Sequence, residues 1–185
     1  MATTLRKLTY DDLAAIVTER ESDQIELIDG VVYVTPAPRP AHERISQNIN
    51  YLLERFVRPG DIGWMFTAPV DVRLSDHDVV QPDLLFIRED RLHIVGDVTI
   101  NGAPDLVVEI LSPGTRARDL GAKRDLYARS GVREYWLVDP EARTIVMLTL
   151  RGGRYEEISA DAAGALHSAL LPGLVVESTA VFALR

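Results

Sequence analysis

The sequence predicts an α/β fold in which a central mixed β-sheet is flanked by helices. The first observation behind this prediction is a strand, a helix and a second strand within residues 104–139, at the spacing of a crossover unit. The second is the 41–58 stretch, where apolar residues recur at helical spacing. The third is Asp29-Gly30 between two strand-forming arms, which is a strong hairpin signal.

Before the 41–58 helix, the chain is predicted to form a short helix and then a hairpin. Thr9 is a suitable N-cap because acidic residues follow it in the first turn, and this helix is expected to reach about Arg20. The hairpin is expected over residues 24–35. Pro59-Gly60 is expected to end the 41–58 helix, because proline and glycine interrupt regular structure.

The remaining strands are shorter. Residues 63–74 are expected to hold one or two strands, and residues 79–87 a further strand that a proline interrupts, which indicates an edge or a bulge. Residues 144–150 and 154–158 predict a second hairpin with a glycine pair at its turn. Residues 170–176 and the last residues of the chain predict one or two short closing strands.

The composition is that of an ordinary globular protein, with 46% hydrophobic and 26% charged residues, and we expect residues 1–185 to form one domain. No apolar stretch approaches the ~18 residues of a membrane span, and the N-terminus lacks the apolar core of a signal peptide. The absence of cysteine excludes disulfides and thiolate zinc sites. We therefore expect a cytoplasmic protein that does not bind membranes.

The net charge of −8 argues against tight binding to duplex nucleic acid through a uniformly basic surface. A local basic groove remains possible, because Arg116, Arg118 and Arg124 lie close together in the sequence. Acidic residues alternate with these arginines, so a mixed, solvated helix face is an equally good interpretation. Any binding to DNA is therefore expected to be weak and confined to a local groove.

Two carboxylates stand alone in apolar strands. Glu109 interrupts the 106–111 run, and Asp83 is the charged residue near the centre of the 79–87 segment. A buried carboxylate is costly unless it is paired or binds a metal. If the two strands are neighbours, the carboxylates can converge on one point, and two such oxygens suit a hard cation such as Mg²⁺.

A lysine is expected to face the same point. With about 100° per residue, Leu120, Leu126 and Tyr127 define the apolar face of a 117–129 helix, and Lys123 lies near its centre. Such a lysine can orient or deprotonate a water and stabilise a negatively charged transition state. The bland alternative is a lysine whose stem packs on the core and whose charge is satisfied by one internal ion pair.

Glu26 and His42 are two further polar residues that become candidate site residues only when other parts of the sequence are considered. Glu26 lies on the first arm of the hairpin, where a solvent-facing side chain is the ordinary expectation. His42 lies at the start of the 41–58 helix, where a histidine can cap, pack or contact a phosphate. Taken alone, each residue is better explained by a structural role.

Four stretches together resemble the Uma-two family of restriction endonucleases, in the PD-(D/E)XK nuclease superfamily. They are Gln81-Pro82-Asp83, the run PDLVVEILSP at 104–113, the spaced set Asp119, Lys123 and Tyr127, and the run GVREYWLVD at 131–139. The run ELIDG at 26–30 and His42 fit the N-terminal pattern of the family as well. The resemblance therefore spans nearly the whole chain and implies a restriction-endonuclease-like fold.

The resemblance also implies roles for individual residues. Asp83 matches the acid of the PD motif and Glu109 the second acid, with the Ile110 carbonyl as a further metal ligand. The usual lysine would lie two residues after the second acid, where this chain has Leu111, and Lys123 is the matching position on the following helix.

Further implications concern the cofactor, the substrate and the assembly. Glu26 resembles the accessory acid of many superfamily members. His42 is expected to contact a phosphate of the substrate, and the local basic segment adds Arg116, Arg118 and Arg124 as expected substrate contacts. The family implies an endonuclease that hydrolyses DNA phosphodiester bonds with Mg²⁺, for which Mn²⁺ can substitute. A homodimer is expected because cutting both strands of a duplex at once requires two active sites.

Two functions from other classes remain as alternatives. The first is a noncatalytic nucleic-acid-binding or regulatory module that retains the fold, which the acidic composition favours. The second is a paired-carboxylate hydrolase that acts on another substrate, such as a glycoside. The inward Lys123 disfavours the second, and so does the lack of an aromatic platform for a sugar, since the tryptophans are Trp64 and Trp136.

Overall fold

The computed structural model describes residues 6–13, 15, 16 and 23–183. The strands are β1 Gln24–Ile28, β2 Val31–Thr35, β3 Gly63–Thr67, β4 Val72–Ser75, β5 Asp78–Val80, β6 Leu84–Arg88, β7 Ile100–Asn101, β8 Leu106–Ile110, β9 Glu134–Asp139, β10 Thr144–Arg151, β11 Arg154–Glu157, β12 Leu166–His167 and β13 Val175–Val176. The helices are α1 Tyr10–Leu13, α2 Pro40–Val57, α3 Arg116–Arg118, α4 Arg124–Ser130 and α5 Ser178–Val181. Two 3₁₀ turns cover Arg58–Gly60 and Glu89–Ile94, and a π-helical turn covers Asp119–Lys123.

The predicted α/β class with a mixed sheet is confirmed, but the strands form two large sheets where a single central sheet was expected. The six-stranded sheet has the order β11-β10-β9-β8-β6-β3, and the five-stranded sheet has the order β2-β1-β5-β4-β7. In the six-stranded sheet, β8 and β9 pair in parallel, as the predicted crossover unit requires, while the other pairs are antiparallel. β12 and β13 form a separate two-stranded sheet.

The strand expected over residues 79–87 is in fact two strands that belong to different sheets. β5 ends at Val80 and pairs in the five-stranded sheet, whereas β6 begins at Leu84 and pairs in the six-stranded sheet. Pro82 lies between them and has no N–H group to donate to a strand neighbour. The chain therefore leaves one sheet after Val80, passes through Pro82 and enters the other sheet at Leu84.

The central strands of the six-stranded sheet are covered on both faces. Leu84 and Phe86 of β6 pack in the apolar cluster that contains the inner face of α2, while Leu85 and Ile87 pack in the cluster that contains Leu126 of α4. This alternation follows from the two-residue period of a strand. A strand with both faces buried needs apolar residues throughout, which explains the continuous runs in β6 and β8.

Other predictions of the local structure are mostly confirmed. The hairpin turns at Asp29 and Gly30, which both have positive φ, and α2 ends one residue before the expected end. α1 is Tyr10–Leu13, and residues 15 and 16 are not helical, so the longer N-terminal helix is wrong there. Residues 14 and 17–20 of that prediction lie outside the described residues. The last residues form the short helix α5 where a strand was expected.

The helix expected over residues 117–129 is interrupted by the π-helical turn. A π turn closes with i→i+5 hydrogen bonds, so each residue advances the chain by a smaller angle than in an α-helix. As a result Leu120, which the α-helical spacing places on the inner face, is 43% exposed. Lys123 remains buried as expected, and Gly131 ends α4 with a φ of 88°, as a helix C-terminal glycine does.

None of the helices within the described residues is long and apolar enough to cross a membrane.

Asp105 connects the start of β8 to Arg88 and Arg91. The side chain is fully buried, Oδ2 accepts a hydrogen bond from the Arg88 backbone N–H at 3.1 Å, and Oδ1 lies 2.9 Å from Arg91 Nη1. Asp105→Asn is expected to lower the free energy of unfolding by about 2 kcal/mol, because bonds between charged groups are lost inside the protein. Urea denaturation measures this change. Asp90→Asn is the control, because it removes an exposed ion pair with Arg88 and should lower the free energy of unfolding by less than about 1 kcal/mol. Equal losses of unfolding free energy in the two variants would contradict the prediction.

Candidate active site

The register of two antiparallel strands brings Asp83 and Glu109 together. Leu84 of β6 lies opposite Val108 of β8, so the residue before Leu84 and the residue after Val108 are neighbours across the pair. Glu109 is buried within β8, and the Asp83 side chain is 13% exposed. The strands that carry the two acids are therefore neighbours, as the prediction required, and the binding of one metal by both acids stays a prediction.

One oxygen of each carboxylate is used in hydrogen bonds. Asp83 Oδ2 accepts from the Ile110 backbone N–H at 2.7 Å, and Glu109 Oε1 accepts from the Tyr127 hydroxyl at 2.7 Å. Within the described residues, no hydrogen bond reaches the second oxygen of either acid. Burial raises the pKa of Glu109 well above its usual range, although the Lys123 charge opposes this shift.

Lys123 bridges two buried acids. Its Nζ lies 2.7 Å from Glu109 Oε1 and 2.7 Å from Glu26 Oε1, and its side chain is 3% exposed. Burial alone would lower the pKa of Lys123, but the charges of Glu109, Glu26 and Asp119 outweigh it and raise that pKa. The predicted inward placement of Lys123 is confirmed, and the side chain is an ammonium cation; its catalytic role stays a prediction.

Glu26 is buried in the same cluster, so the expectation of a solvent-facing side chain is wrong. The residue is 2% exposed, and Oε1 also accepts from the Gln81 backbone N–H at 2.9 Å. Oε2 lies 3.2 Å from Arg118 Nη2. Both oxygens of Glu26 are thus held by cations and by the segment that connects the two sheets.

His42 lies in the first turn of α2, against the two acid-bearing strands. Its Nε2 is 3.1 Å from the Ile110 carbonyl oxygen and 3.3 Å from Asp83 Oδ2. Burial lowers the pKa of His42, but the hydrogen bond and the charge of Asp83, helped by the Ile110 carbonyl, outweigh it and raise the pKa. The ring therefore contacts the carboxylate and the carbonyl that were predicted as ligands, and its contact with a phosphate stays a prediction.

Asp119 is a fourth buried acid that the sequence interpretation did not include among the site residues. It is 1% exposed, lies in the π-helical turn, and its Oδ1 is 3.8 Å from Lys123 Nζ. Burial raises the pKa of Asp119. A signal was available, because residues four apart in a helix share a face and Asp119 precedes Lys123 by four positions.

The three predicted arginines lie in different places. Arg118 reaches the acids, but it also donates to Thr35 Oγ1 at 2.8 Å and its guanidinium stacks 5.0 Å from the centre of the Tyr33 ring. Arg116 pairs with Asp139, and Arg116 and Arg124 line a separate cavity of about 220 Å³. The structure therefore brings Arg118 to the acids and does not bring the other two; their contact with DNA stays a prediction.

The acids open into one cavity of about 440 Å³. Residues from both large sheets, from the start of α2 and from the π-helical turn line it, and they include Glu26, His42, Asp83, Glu109, Ile110, Arg118, Asp119 and Lys123. Four carboxyl groups face the buried Lys123 and the partly buried Arg118, so acidic side chains outnumber lysine and arginine in this cavity. Such a cavity suits a small metal cation together with a substrate that is hydrolysed by water.

Comparison with known proteins places the chain in a family. The family model Uma2, described as putative restriction endonuclease, matches residues 9–181. A crystal structure of a putative nuclease belonging to DUF820 from Anabaena variabilis aligns with a TM-score of 0.74 and 21% identity, over 95% of this chain and 97% of that chain. At this identity the likeness establishes the fold. No curated protein matches the chain. Because the family model covers almost all of the chain, the protein belongs to the Uma2 family of putative restriction endonucleases.

Proposed function

We propose that the protein is an endonuclease that hydrolyses DNA phosphodiester bonds and depends on a divalent metal, Mg²⁺ or Mn²⁺. The observation that carries this proposal is the meeting of Asp83 and Glu109 across two paired strands, with the buried Lys123 ammonium 2.7 Å from Glu109. The family match supports the substrate class. The alternatives explain the cluster less well, because neither needs a buried lysine between two acids.

The residues present fit a magnesium ion. Asp83 and Glu109 each have an oxygen that no described residue binds, and the Ile110 carbonyl lies beside them. No three His, Asp or Glu side chains within the described residues are arranged to hold a metal. A site for Mg²⁺ does not need three such side chains, because this ion binds proteins through one or two carboxylates and completes its shell with water and phosphate oxygens. When bound, a divalent ion supplies a Lewis acid that polarises the phosphate and acidifies a coordinated water.

Lys123 has an electrostatic role in this proposal. The raised pKa keeps it protonated, so it donates hydrogen bonds and does not remove a proton from water. Its charge stabilises the negative charge that develops on the phosphate in the transition state. Glu26 is the accessory acid that holds the ammonium in place through its 2.7 Å ion pair.

DNA would enter through the mouth of the cavity. Because the net charge is −8, long-range attraction to phosphate is unfavourable, and we propose weak binding through short-range contacts such as those of Arg118 and His42. A homodimer would supply the two sites that are needed to cut both strands at once.

The test is cleavage of a mixture of single-stranded, duplex and supercoiled DNA with Mg²⁺, with Mn²⁺ and with EDTA. We expect cleavage with either metal and none with EDTA. Asp83→Asn, purified in the same way, is the control for a contaminating nuclease and should not cut. Equal cleavage by wild type and Asp83→Asn, or no cleavage of any DNA by the wild type, would reject the proposed function.

A further inference from the structure

We propose that Asp119 and Lys123 together hold the water that attacks the phosphate, and that the Asp119 carboxylate accepts its proton. This inference rests on the proposed function and adds a catalytic residue to it. The proposed water lies to one side of the line from Asp119 Oδ1 to Lys123 Nζ, and both residues line the cavity that also contains Asp83 and Glu109.

The first step of the argument concerns the donors of Lys123. An ammonium group has three N–H donors. Two of them point to Glu26 Oε1 and Glu109 Oε1, each at 2.7 Å. Asp119 Oδ1 lies at 3.8 Å, which is too long for a direct hydrogen bond. A water beside this gap can accept a hydrogen bond from Nζ and donate one to Oδ1, which bridges the two groups.

The second step concerns Asp119 itself. Its Oδ1 is buried without a hydrogen-bond partner in the described part of the chain, while the residue as a whole is 1% exposed. Buried polar atoms in folded proteins nearly always have a partner, which is frequently an ordered water. The third donor of Lys123 and this oxygen together provide a polar site for one water.

The third step compares Asp119 with the other acids of the cluster. Glu26 is bound through both oxygens, by the Gln81 N–H and Lys123 on one side and by Arg118 on the other. Glu109 and Asp83 are the proposed metal ligands. Asp119 is thus the acid with a free oxygen beside the lysine, and burial raises its pKa toward the range of an effective general base.

The proposed reaction is balanced within the site and the solvent. The oxygen of the held water forms a bond to phosphorus, and the phosphorus–oxygen bond to the departing sugar oxygen breaks. One proton of the water passes to the Asp119 carboxylate, and the departing oxygen takes up a proton from solvent. Asp119 then releases its proton to solvent, which restores the starting state.

The first test needs no activity. A crystal structure of the metal-free wild-type protein at high resolution is expected to show an ordered water within hydrogen-bonding distance of both Asp119 Oδ1 and Lys123 Nζ. A direct Asp119–Lys123 contact with no water between them would overturn the inference. This readout tests the bound water whether or not the wild type cuts DNA. If the wild type cuts no DNA, the proposed function fails and the attack on phosphate fails with it.

The second test is Asp119→Asn, which keeps the shape of the side chain but cannot accept the proton. We expect kcat to fall by about 10²-fold with little change in KM, and the acidic limb of the pH–rate profile to disappear. The Mn²⁺ affinity should stay at the wild-type value, and the melting temperature should not fall, because the substitution removes a desolvated charge. A purely structural role predicts a lower melting temperature. Asp125→Asn, on the exposed side of α4, is the matched control and should keep wild-type kcat. A wild-type kcat, or an unchanged pH–rate profile, in Asp119→Asn would contradict the proposal that Asp119 accepts the proton of the water.

Discussion

Lys123→Met is expected to lower the rate of DNA cleavage by ~10²-fold or more and to destabilise the fold by about 3 kcal/mol. The loss of rate follows from removing the cation beside the proposed reaction centre. The loss of stability follows because Glu26 and Glu109, both buried, would lose the ammonium that each contacts at 2.7 Å. Methionine is similar in size to the lysine stem, but the burial of both acids makes the substitution costly.

The stability defect should depend on pH. Burial raises the pKa of Glu109 above its usual 4.5, and the Lys123 charge is the main influence that opposes this. Without Lys123 the pKa of Glu109 in the folded state rises further. A group with a raised folded pKa contributes stability below its unfolded pKa and loses that contribution as pH rises through the folded pKa. The variant should therefore approach wild-type stability near pH 4.5 and differ most above neutral pH.

Urea denaturation across pH measures the stability defect, and cleavage at a temperature well below the transition measures the rate. Lys7→Met is the matched control, because it makes the same substitution at an exposed ion pair with Asp29 and should change stability by less than about 1 kcal/mol. Wild-type stability of Lys123→Met at pH 8 would show that the ammonium does not compensate the two acids.

Glu109→Gln and Asp83→Asn are each expected to abolish stabilisation by divalent metal. A ligand that binds only the folded state stabilises it by about 2.7 kcal/mol at a concentration of 100 Kd. Wild type should show such an increase with Mn²⁺ or Mg²⁺, and the two variants should show none. Without metal, Glu109→Gln should be at least as stable as the wild type, because it removes a desolvated charge while Lys123 keeps its contact with Glu26.

Thermal unfolding with and without metal gives the stabilisation, and calorimetry gives Mn²⁺ affinity. Glu157→Gln replaces an exposed glutamate of β11 and should respond to metal as the wild type does. Unchanged Mn²⁺ binding in both acid variants would show that Asp83 and Glu109 are not the metal ligands. Binding lost in one variant alone would assign the ion to that acid.

The sequence by itself determined the class of fold and, for most residues of the strands and helices, whether the side chain faces the core or the solvent. The continuous apolar runs of β6 and β8, the helical spacing of α2 and the Asp29-Gly30 turn are local patterns that depend on strand and helix periods. The same logic identified Asp83, Glu109 and Lys123, because a charged residue inside an apolar pattern stands out in any conformation that keeps the pattern.

The tertiary structure alone decided which charges meet. Local periodicity could not reveal that Pro82 separates two sheets, since strand partners are distant in the chain. It could not reveal that Glu26 is buried against Lys123, or that Arg118 is held by Glu26 and Thr35. The π-helical turn changes the angle per residue, so Leu120 is turned outward while Asp119 stays buried near Lys123. Local periodicity could not reveal this turn, because i→i+5 hydrogen bonding is set by the packing around the turn and has no repeat in the sequence.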